Sequence, residues 1–366
     1  VHRARLSPGA AQALFGWPQL NAALAEHRLA APRLRLERAG ADVTQGVFKS
    51  RRTRRGAVMQ DLDAAALMDR LRQGATLIID AVNEISPPLQ QLCSGLAAEF
   101  TASSQANLYA CWGQTQGFDV HWDDHDVFVV QLEGRKAWAL YGATVAVPTR
   151  RGPAPTAGPP TCEPERIVLE PGDVLYLPRG HWHAAVGLGG PTLHLTIGLT
   201  RKNGSDLLHW LADDLLADAH GRADLPFEAG DVVLGARIAA VLAGLAARDP
   251  QELARRYRRH LEAAAPQRPA LAFPYIGDET PLGPTTRISL GQGPARLARH
   301  GEDLVLSWRG VEFTLAPVLE GPLRRLLAGE TLRGDAFAGA ACDADVQAFL
   351  RDMVRRGAFV ARGEGG

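Results

Sequence analysis

The segment His121-Trp122-Asp123 opens the part of the chain richest in side chains that could do chemistry. An imidazole and a carboxylate two residues apart project from the same face of an extended strand. Buried side by side, they need a metal ion or each other as a partner. The apolar, β-branched run Val127-Phe128-Val129-Val130 predicts a buried strand, Glu133-Gly134 a turn, and Lys136-Ala137-Trp138-Ala139-Leu140-Tyr141 a returning strand. This arrangement puts the His-x-Asp pair at the mouth of a small β-barrel, with Lys136 on the neighbouring strand.

A third ligand is needed. Two histidines and one carboxylate on one face of a metal leave three positions open, a set typical of non-haem iron(II) sites. Downstream, Pro171-Gly172-Asp173 signals a turn, Val174–Leu177 a strand and Pro178-Arg179-Gly180 a second turn, after which His181 and His183 follow. His194 lies on the next alternating stretch, Pro191–Thr200, where it shares a face with Thr196 and Gly198. Asn107 and Tyr109 share a face of the alternating stretch Ala106–Trp112. Asp124, His125 and Asp126 read as flanking or solvent-facing groups.

Taken in order, His121-x-Asp123, Asp126-Val127-Phe128, Gln131-Leu132-Glu133-Gly134-Arg135-Lys136-x-Trp138 and Pro171-Gly172-Asp173-x-Leu175-Tyr176-x-Pro178-x-Gly180-x-x-His183 resemble the JmjC ribosomal oxygenases. These are Fe(II)- and 2-oxoglutarate-dependent protein hydroxylases of the cupin superfamily, and the likeness is strongest over about residues 75–200. The resemblance implies a metal held by His121, Asp123 and His183, with 2-oxoglutarate and O2 as co-substrates. It implies that Lys136 meets the far carboxylate of 2-oxoglutarate and that Asn107, Tyr109, His194 and Thr196 line its pocket. His181 is then expected at the rim, and His194 deeper, near Lys136. Some members carry Ser where this chain has Gly198; if that Ser helps bind substrate, animal-type substrate recognition is not expected here.

The elements that must position these residues follow from the rest of the chain. Helices are expected within residues 1–30, at Asp61–Gln73 and at Pro88–Phe100; Leu34-Arg35-Leu36 reads as an edge strand and Gly74–Asp80 as a strand entering the barrel. The basic run Lys49–Arg55 reads as a solvated loop, with contact to RNA or an acidic surface as its functional alternative. Pro148–Pro164 and residues 268–285 read as Pro-rich connections. From Ser205 the pattern turns helical, with Leu207, Leu208, Leu211, Leu215 and Leu216 on one face, and continues through Val232–Ala247 and Gln251–Ala264. Three strands, two helices and a last strand close the chain, an order that suits a winged helix.

The expected architecture is a mainly β catalytic domain, a double-stranded β-helix of the JmjC/cupin type, over residues 1–202. An all-α dimerisation segment would follow at 203–267, implied by the resemblance to form a homodimer, and then an α+β winged-helix-like domain at 268–366. Formal net charge is zero, so nothing draws the whole chain to nucleic acid or anionic membrane. Residues 287–364 carry eleven Arg against ten Asp and Glu, so specific DNA binding by the last domain is not expected. Four scattered cysteines without a C-x-x-C, no basic-plus-apolar leader and no bilayer-length apolar run fit a cytoplasmic protein without a membrane partner.

The resemblance implies hydroxylation of an Arg or His side chain of a ribosomal protein. Two alternatives stand beside it: the same chemistry on a ribosomally synthesised peptide, and a catalytically silent cupin that binds or regulates. Histone demethylation fits the C-terminal layout less well.

Overall fold

The computed structural model describes all residues except 8, 115, 150–151, 153–157, 265–270, 274–281, 292–294, 338–343 and 364–366. The chain divides into two compact units, Val1–Arg201 and Lys202–Gly366.

The strands of the first unit are β1 (His2–Arg5), β2 (Leu34–Arg38), β3 (Ala41–Asp42), β4 (Phe48–Arg52), β5 (Val58–Leu62), β6 (Thr76–Ile79), β7 (Ala102–Cys111), β8 (Asp126–Glu133), β9 (Lys136–Ala143), β10 (Glu165–Leu169), β11 (Asp173–Leu177), β12 (His181–Gly187) and β13 (Thr192–Arg201). Its helices are α1 (Ala10–Leu14), α2 (Trp17–Glu26), α3 (Ala64–Arg72) and α4 (Pro87–Phe100). Eight strands form one sheet in the order β1-β11-β8-β13-β7-β6-β2-β3, and β10-β9-β12 form a second.

Each long strand alternates between two cores. On β13, Leu193, Leu195 and Ile197 join Leu34, Leu36, Leu77, Leu108 and Leu89 of α4 in the core behind the large sheet. Between the sheets, Val127, Val129, Leu175 and Leu177 of the large sheet meet Trp138, Leu140 and Leu169 of the small one. The even-numbered face of β13, with His194, Thr196 and Gly198, is turned away from the first core, and period-two alternation is the reason.

Several expectations are corrected. Strands β8 and β9 are consecutive but do not form a hairpin: β8 pairs with β11 and β13, whereas β9 pairs with β10 and β12. The corner at Glu133–Arg135 carries the chain from one sheet to the other. Gly134 makes it possible, because its φ is +65° and a Cβ there would lie 2.2 Å from the Pro191 carbonyl oxygen. Strand β2 is not an edge strand: it lies between β3 and β6 with Leu34 and Leu36 wholly buried. The basic run is not a loop but the exposed hairpin β4–β5, where Arg51 pairs with Asp61 and Lys49 with Asp63. Helix α3 starts at Ala64 instead of Asp61, because Asp63 caps it by accepting from the backbone N–H groups of Ala65 and Ala66. Seven of the seventeen residues of the connection at 148–164 lie outside the described residues, as does most of 268–285.

The second unit begins with α5 (Gly204–Leu215), α6 (Ala219–Arg222), α7 (Asp231–Ala246) and α8 (Pro250–Ala264). None of the four buries a residue, and Val232, Val233, Ile238 and Leu242 of α7 are 88%, 47%, 45% and 59% exposed. Strands β14 (Arg287–Leu290), β15 (Ala295–His300), β16 (Asp303–Trp308), β17 (Val311–Leu315), β18 (Leu332–Arg333) and β19 (Phe359–Arg362) follow, with helices α9 (Glu320–Leu327) and α10 (Ala344–Arg355). They form the sheets β15-β16-β17 and β18-β14-β19 around a core that includes Ile288, Leu306, Leu323, Met353 and Phe359. Strand β14 lies just beyond the expected Pro-rich linker and was not anticipated. Among the described residues, no helix is long and apolar enough to cross a membrane.

Candidate metal centre

His121 and Asp123 do not lie on a regular strand, contrary to the sequence expectation. His121 forms an isolated bridge to His183, giving and receiving backbone hydrogen bonds of 3.1 and 2.7 Å. Asp123 is tied by its carbonyl oxygen, which accepts from the Gly180 N–H at 2.9 Å. Gly180 adopts φ +83°, and a Cβ there would crowd Pro148 and the Val145 carbonyl at about 3.0 Å, so the turn before β12 needs glycine. The buried Asp126 accepts from the Arg179 N–H at 3.1 Å and pins the same turn to the start of β8. The two halves of the motif are thus fastened together by backbone, through pairs 62 and 57 residues apart in the chain.

The result is one group of ligand atoms, from His121, Asp123 and His183, all within 4.8 Å of one another. His181 and His194 are not in it. The Nδ1 of His121 lies 2.8 Å from the Asp119 carbonyl oxygen, and that of His183 lies 2.9 Å from the His181 carbonyl oxygen. A carbonyl only accepts, so each Nδ1 carries a proton, and in the neutral imidazole each Nε2 presents a lone pair. The Nε2 of His183 then faces Asp123 Oδ2 at 3.7 Å, acceptor against acceptor. A cation between them removes that conflict, so the donor set fits a divalent metal. Burial, and then the neighbouring His121, push the imidazole of His183 toward its neutral, metal-binding form. His181 is half-buried with its Nδ1 3.2 Å from the Pro178 carbonyl oxygen, and a register shift separates it from His183.

Strand β9 turns Lys136, Trp138 and Leu140 inward by alternation. Lys136 is 6% exposed and has no carboxylate partner among the described residues. Burial depresses its ammonium below the ordinary lysine value, with only a small opposing influence from Cys111. His194 is 3% exposed and stacks on Tyr109 with ring centroids 4.9 Å apart. Burial, and then Lys136, hold its imidazole well below the usual histidine range. Thr196 hydrogen-bonds the Tyr109 phenol, whose ionisation burial pushes upward. Asn107 shares this face, as its register opposite Thr196 requires, but its Oδ1 already accepts from the Ala81 N–H at 3.0 Å and from Gln105 at 2.9 Å. Only its Nδ2 is left to donate.

Two floor residues were quoted in the sequence pattern without a role. Gln131 lies opposite His194 in register and is fully buried. The rings of Trp138, His183 and His194 converge, with centroids 6.0 Å and 5.9 Å from Trp138. Gln131 Oε1, Trp138 Nε1 and His194 Nδ1 are buried without a hydrogen-bond partner among the described residues. Buried polar atoms are nearly always paired, so these atoms and Lys136 mark space for a polar, anionic ligand. The sheet pairing found them; their spacing along the chain alone carries no such signal.

A JmjC domain model matches residues 83–207. Ribosomal oxygenase 1 of Bos taurus is 36% identical over 146 residues, 38% of this chain and 21% of that protein. The bifunctional lysine-specific demethylase and histidyl-hydroxylase NO66 of Drosophila persimilis is 38% identical over 113 residues, 30% of this chain and 16% of that protein. The chain therefore spans about a fifth of the length of these curated relatives. The crystal structure of YcfD from Escherichia coli superimposes with a TM-score of 0.59 at 18% identity, covering 98% of this chain and 95% of that one. A YcfD structure in complex with cobalt and 2-oxoglutarate gives 0.56 at 18% identity, covering 95% and 91%. The fold is therefore the JmjC/cupin β-sandwich, with a JmjC domain matched at residues 83–207, and over that stretch the chain is similar to the JmjC ribosomal oxygenases.

Proposed function

We propose that the protein is an Fe(II)- and 2-oxoglutarate-dependent oxygenase that hydroxylates an Arg or His side chain of a ribosomal protein. The observation that carries this reading is a His–Asp–His donor set together with a lysine that is buried without a carboxylate partner among the described residues. The names of the relatives, ribosomal oxygenase and histidyl-hydroxylase, and the cobalt and 2-oxoglutarate complex of YcfD support it.

In this reading His121, Asp123 and His183 hold the metal, which when bound supplies the oxidation: 2-oxoglutarate, O2 and a substrate C–H become succinate, CO2 and C–OH. Lys136 receives the far carboxylate of 2-oxoglutarate and regains a full charge by doing so. Tyr109, Thr196 and the free Nδ2 of Asn107 line its path, and His194 and Trp138 close the floor. Val129, Leu140 and Leu177 keep water from that end.

The exposed apolar residues of α7 favour a homodimer in which a second copy covers them. The strands and helices after residue 286 fit a winged-helix-like domain with balanced charge and no specific DNA target, in a cytoplasmic protein. The test is incubation with Fe(II), 2-oxoglutarate and O2, followed by mass spectrometry of ribosomal proteins. A gain of one oxygen on an Arg or His is expected. Turnover of 2-oxoglutarate with that gain only on a ribosomally synthesised peptide would move the substrate class, and no turnover would leave a silent binding protein.

A further inference from the structure

Gly198 stands within a regular strand, paired with Gln105 on β7 and Val127 on β8. Its backbone is ordinary extended strand, open to any residue, so no conformational demand explains the glycine. A glycine inside a strand weakens it and marks a close approach. Here the approach comes from a side chain: a Cβ at Gly198 would lie 2.8 Å from Cδ2 and 2.9 Å from Nε2 of His125. The imidazole occupies the space that any other residue would fill.

The ring sits toward the less buried end of the strand face that carries His194 and Thr196. Gly198 is two positions beyond Thr196 and four beyond His194 on the same face, and burial fades along this line to the exposed Thr200 and Arg201. His125 itself is two residues past Asp123, with a side chain one-third exposed at 33%. Its Nδ1 lies 2.9 Å from Asp124 Oδ1. An ionised carboxylate only accepts, so Nδ1 holds a proton, and in the neutral imidazole Nε2 is left as an acceptor. That Nε2 makes no hydrogen bond among the described residues. Asp124 fixes the tautomer and Gly198 fixes the seat.

We propose that His125 is a specificity-determining residue whose Nε2 accepts a hydrogen bond from an N–H of the substrate side chain as it passes toward the metal. This rests on the oxygenase reading above and adds to it the group that selects among side chains. An N–H donor, such as a guanidinium or imidazole, satisfies the acceptor. A hydrocarbon side chain of similar length would cover it unpaired and bind about tenfold less well.

The experiment uses the full chain loaded with redox-silent Zn(II) and labelled with 15N-histidine, with the His125 ring followed by long-range 15N–1H NMR. In the free protein the ring should be the Nδ1–H tautomer. Argininamide and histidinamide should each move the Nε2 resonance, and norleucinamide should not. His125→Phe should lose about tenfold in affinity for the first two probes and none for the third. Gly198→Ala should displace the ring and cause the same loss, with Zn(II) and 2-oxoglutarate affinities as in wild type. A ring protonated on Nε2, an Nε2 resonance indifferent to both N–H probes, or a ring unmoved in Gly198→Ala would overturn the proposal. Fe(II)-dependent decarboxylation of 2-oxoglutarate by the same wild-type preparation separates the two failures. If it occurs while Nε2 is indifferent, only the role of His125 falls; if it does not occur, the oxygenase reading falls as well.

Discussion

Replacing Lys136 with methionine should make the ligand-free protein more stable and at the same time abolish tight binding of 2-oxoglutarate. The side chains have similar length, and Met suits the surroundings of Trp138 and Leu140. In the ligand-free protein the ammonium is buried without a carboxylate among the described residues, and its pKa is depressed by that burial. Substituting buried charge by an apolar group of similar volume gains on the order of 1–4 kcal/mol. For a unit of this size that raises Tm by about 2–4 °C per kcal/mol.

The sign with pH follows from the depressed value. The cost is complete while the lysine is charged, below its folded-state pKa, and disappears as pH rises from there to the ordinary lysine value of 10.5. The stability advantage of Lys136→Met should therefore be largest below the depressed pKa and fade as pH rises toward the ordinary lysine value. Binding reverses the balance. Loss of one member of a buried charge pair costs about 2–5 kcal/mol, so Kd for 2-oxoglutarate should rise roughly 30-fold to several thousand-fold. Wild-type affinity should itself fall as pH rises through the depressed pKa, because binding then requires proton uptake. Thermal denaturation with and without 2-oxoglutarate, and calorimetric titration across pH, measure all of this. A Lys136→Met protein that is less stable without ligand, or that binds 2-oxoglutarate within threefold of wild type, refutes the reasoning.

The metal set predicts a graded series by iron titration: His183→Ala should lose Fe(II) binding and all 2-oxoglutarate turnover, while His181→Ala should keep its iron. Retained iron in the first with loss in the second would show that the triad has been assigned wrongly. An aspartate at Leu242, 59% exposed on α7, should convert the expected homodimer to monomer in light scattering at micromolar concentration; a wild-type protein already monomeric there contradicts the dimer. Leu36→Ala, wholly buried behind the large sheet, should cost about 2–5 kcal/mol in denaturant unfolding and shift the midpoint accordingly.

Much of the site is legible in the chain because its information is local. Alternation puts Lys136 with Trp138, Asn107 with Tyr109, and His194 with Thr196 and Gly198, whichever sheet each strand joins. The turn chemistry of Pro178-Arg179-Gly180 separates His181 from His183 before any contact is known. Other features depended on partners distant in the chain. Consecutive strands joined by Glu133-Gly134 look like a hairpin, yet β8 and β9 enter opposite sheets, because pairing is decided by β11, β13, β10 and β12. His121-x-Asp123 looks like a strand, yet it is held by the backbone of His183 and Gly180. The orphaned atoms of Gln131, Trp138 and His194 exist only once two sheets close over them. Nor does any local pattern disclose that Gly198 is needed by a ring 73 residues earlier in the chain. The sequence by itself determined which face of each strand its reactive residues occupy, because side-chain direction follows from backbone period. Which faces meet, and which polar atoms they leave without partners, was decided by tertiary structure, because strand pairing and burial are properties of distant segments brought together.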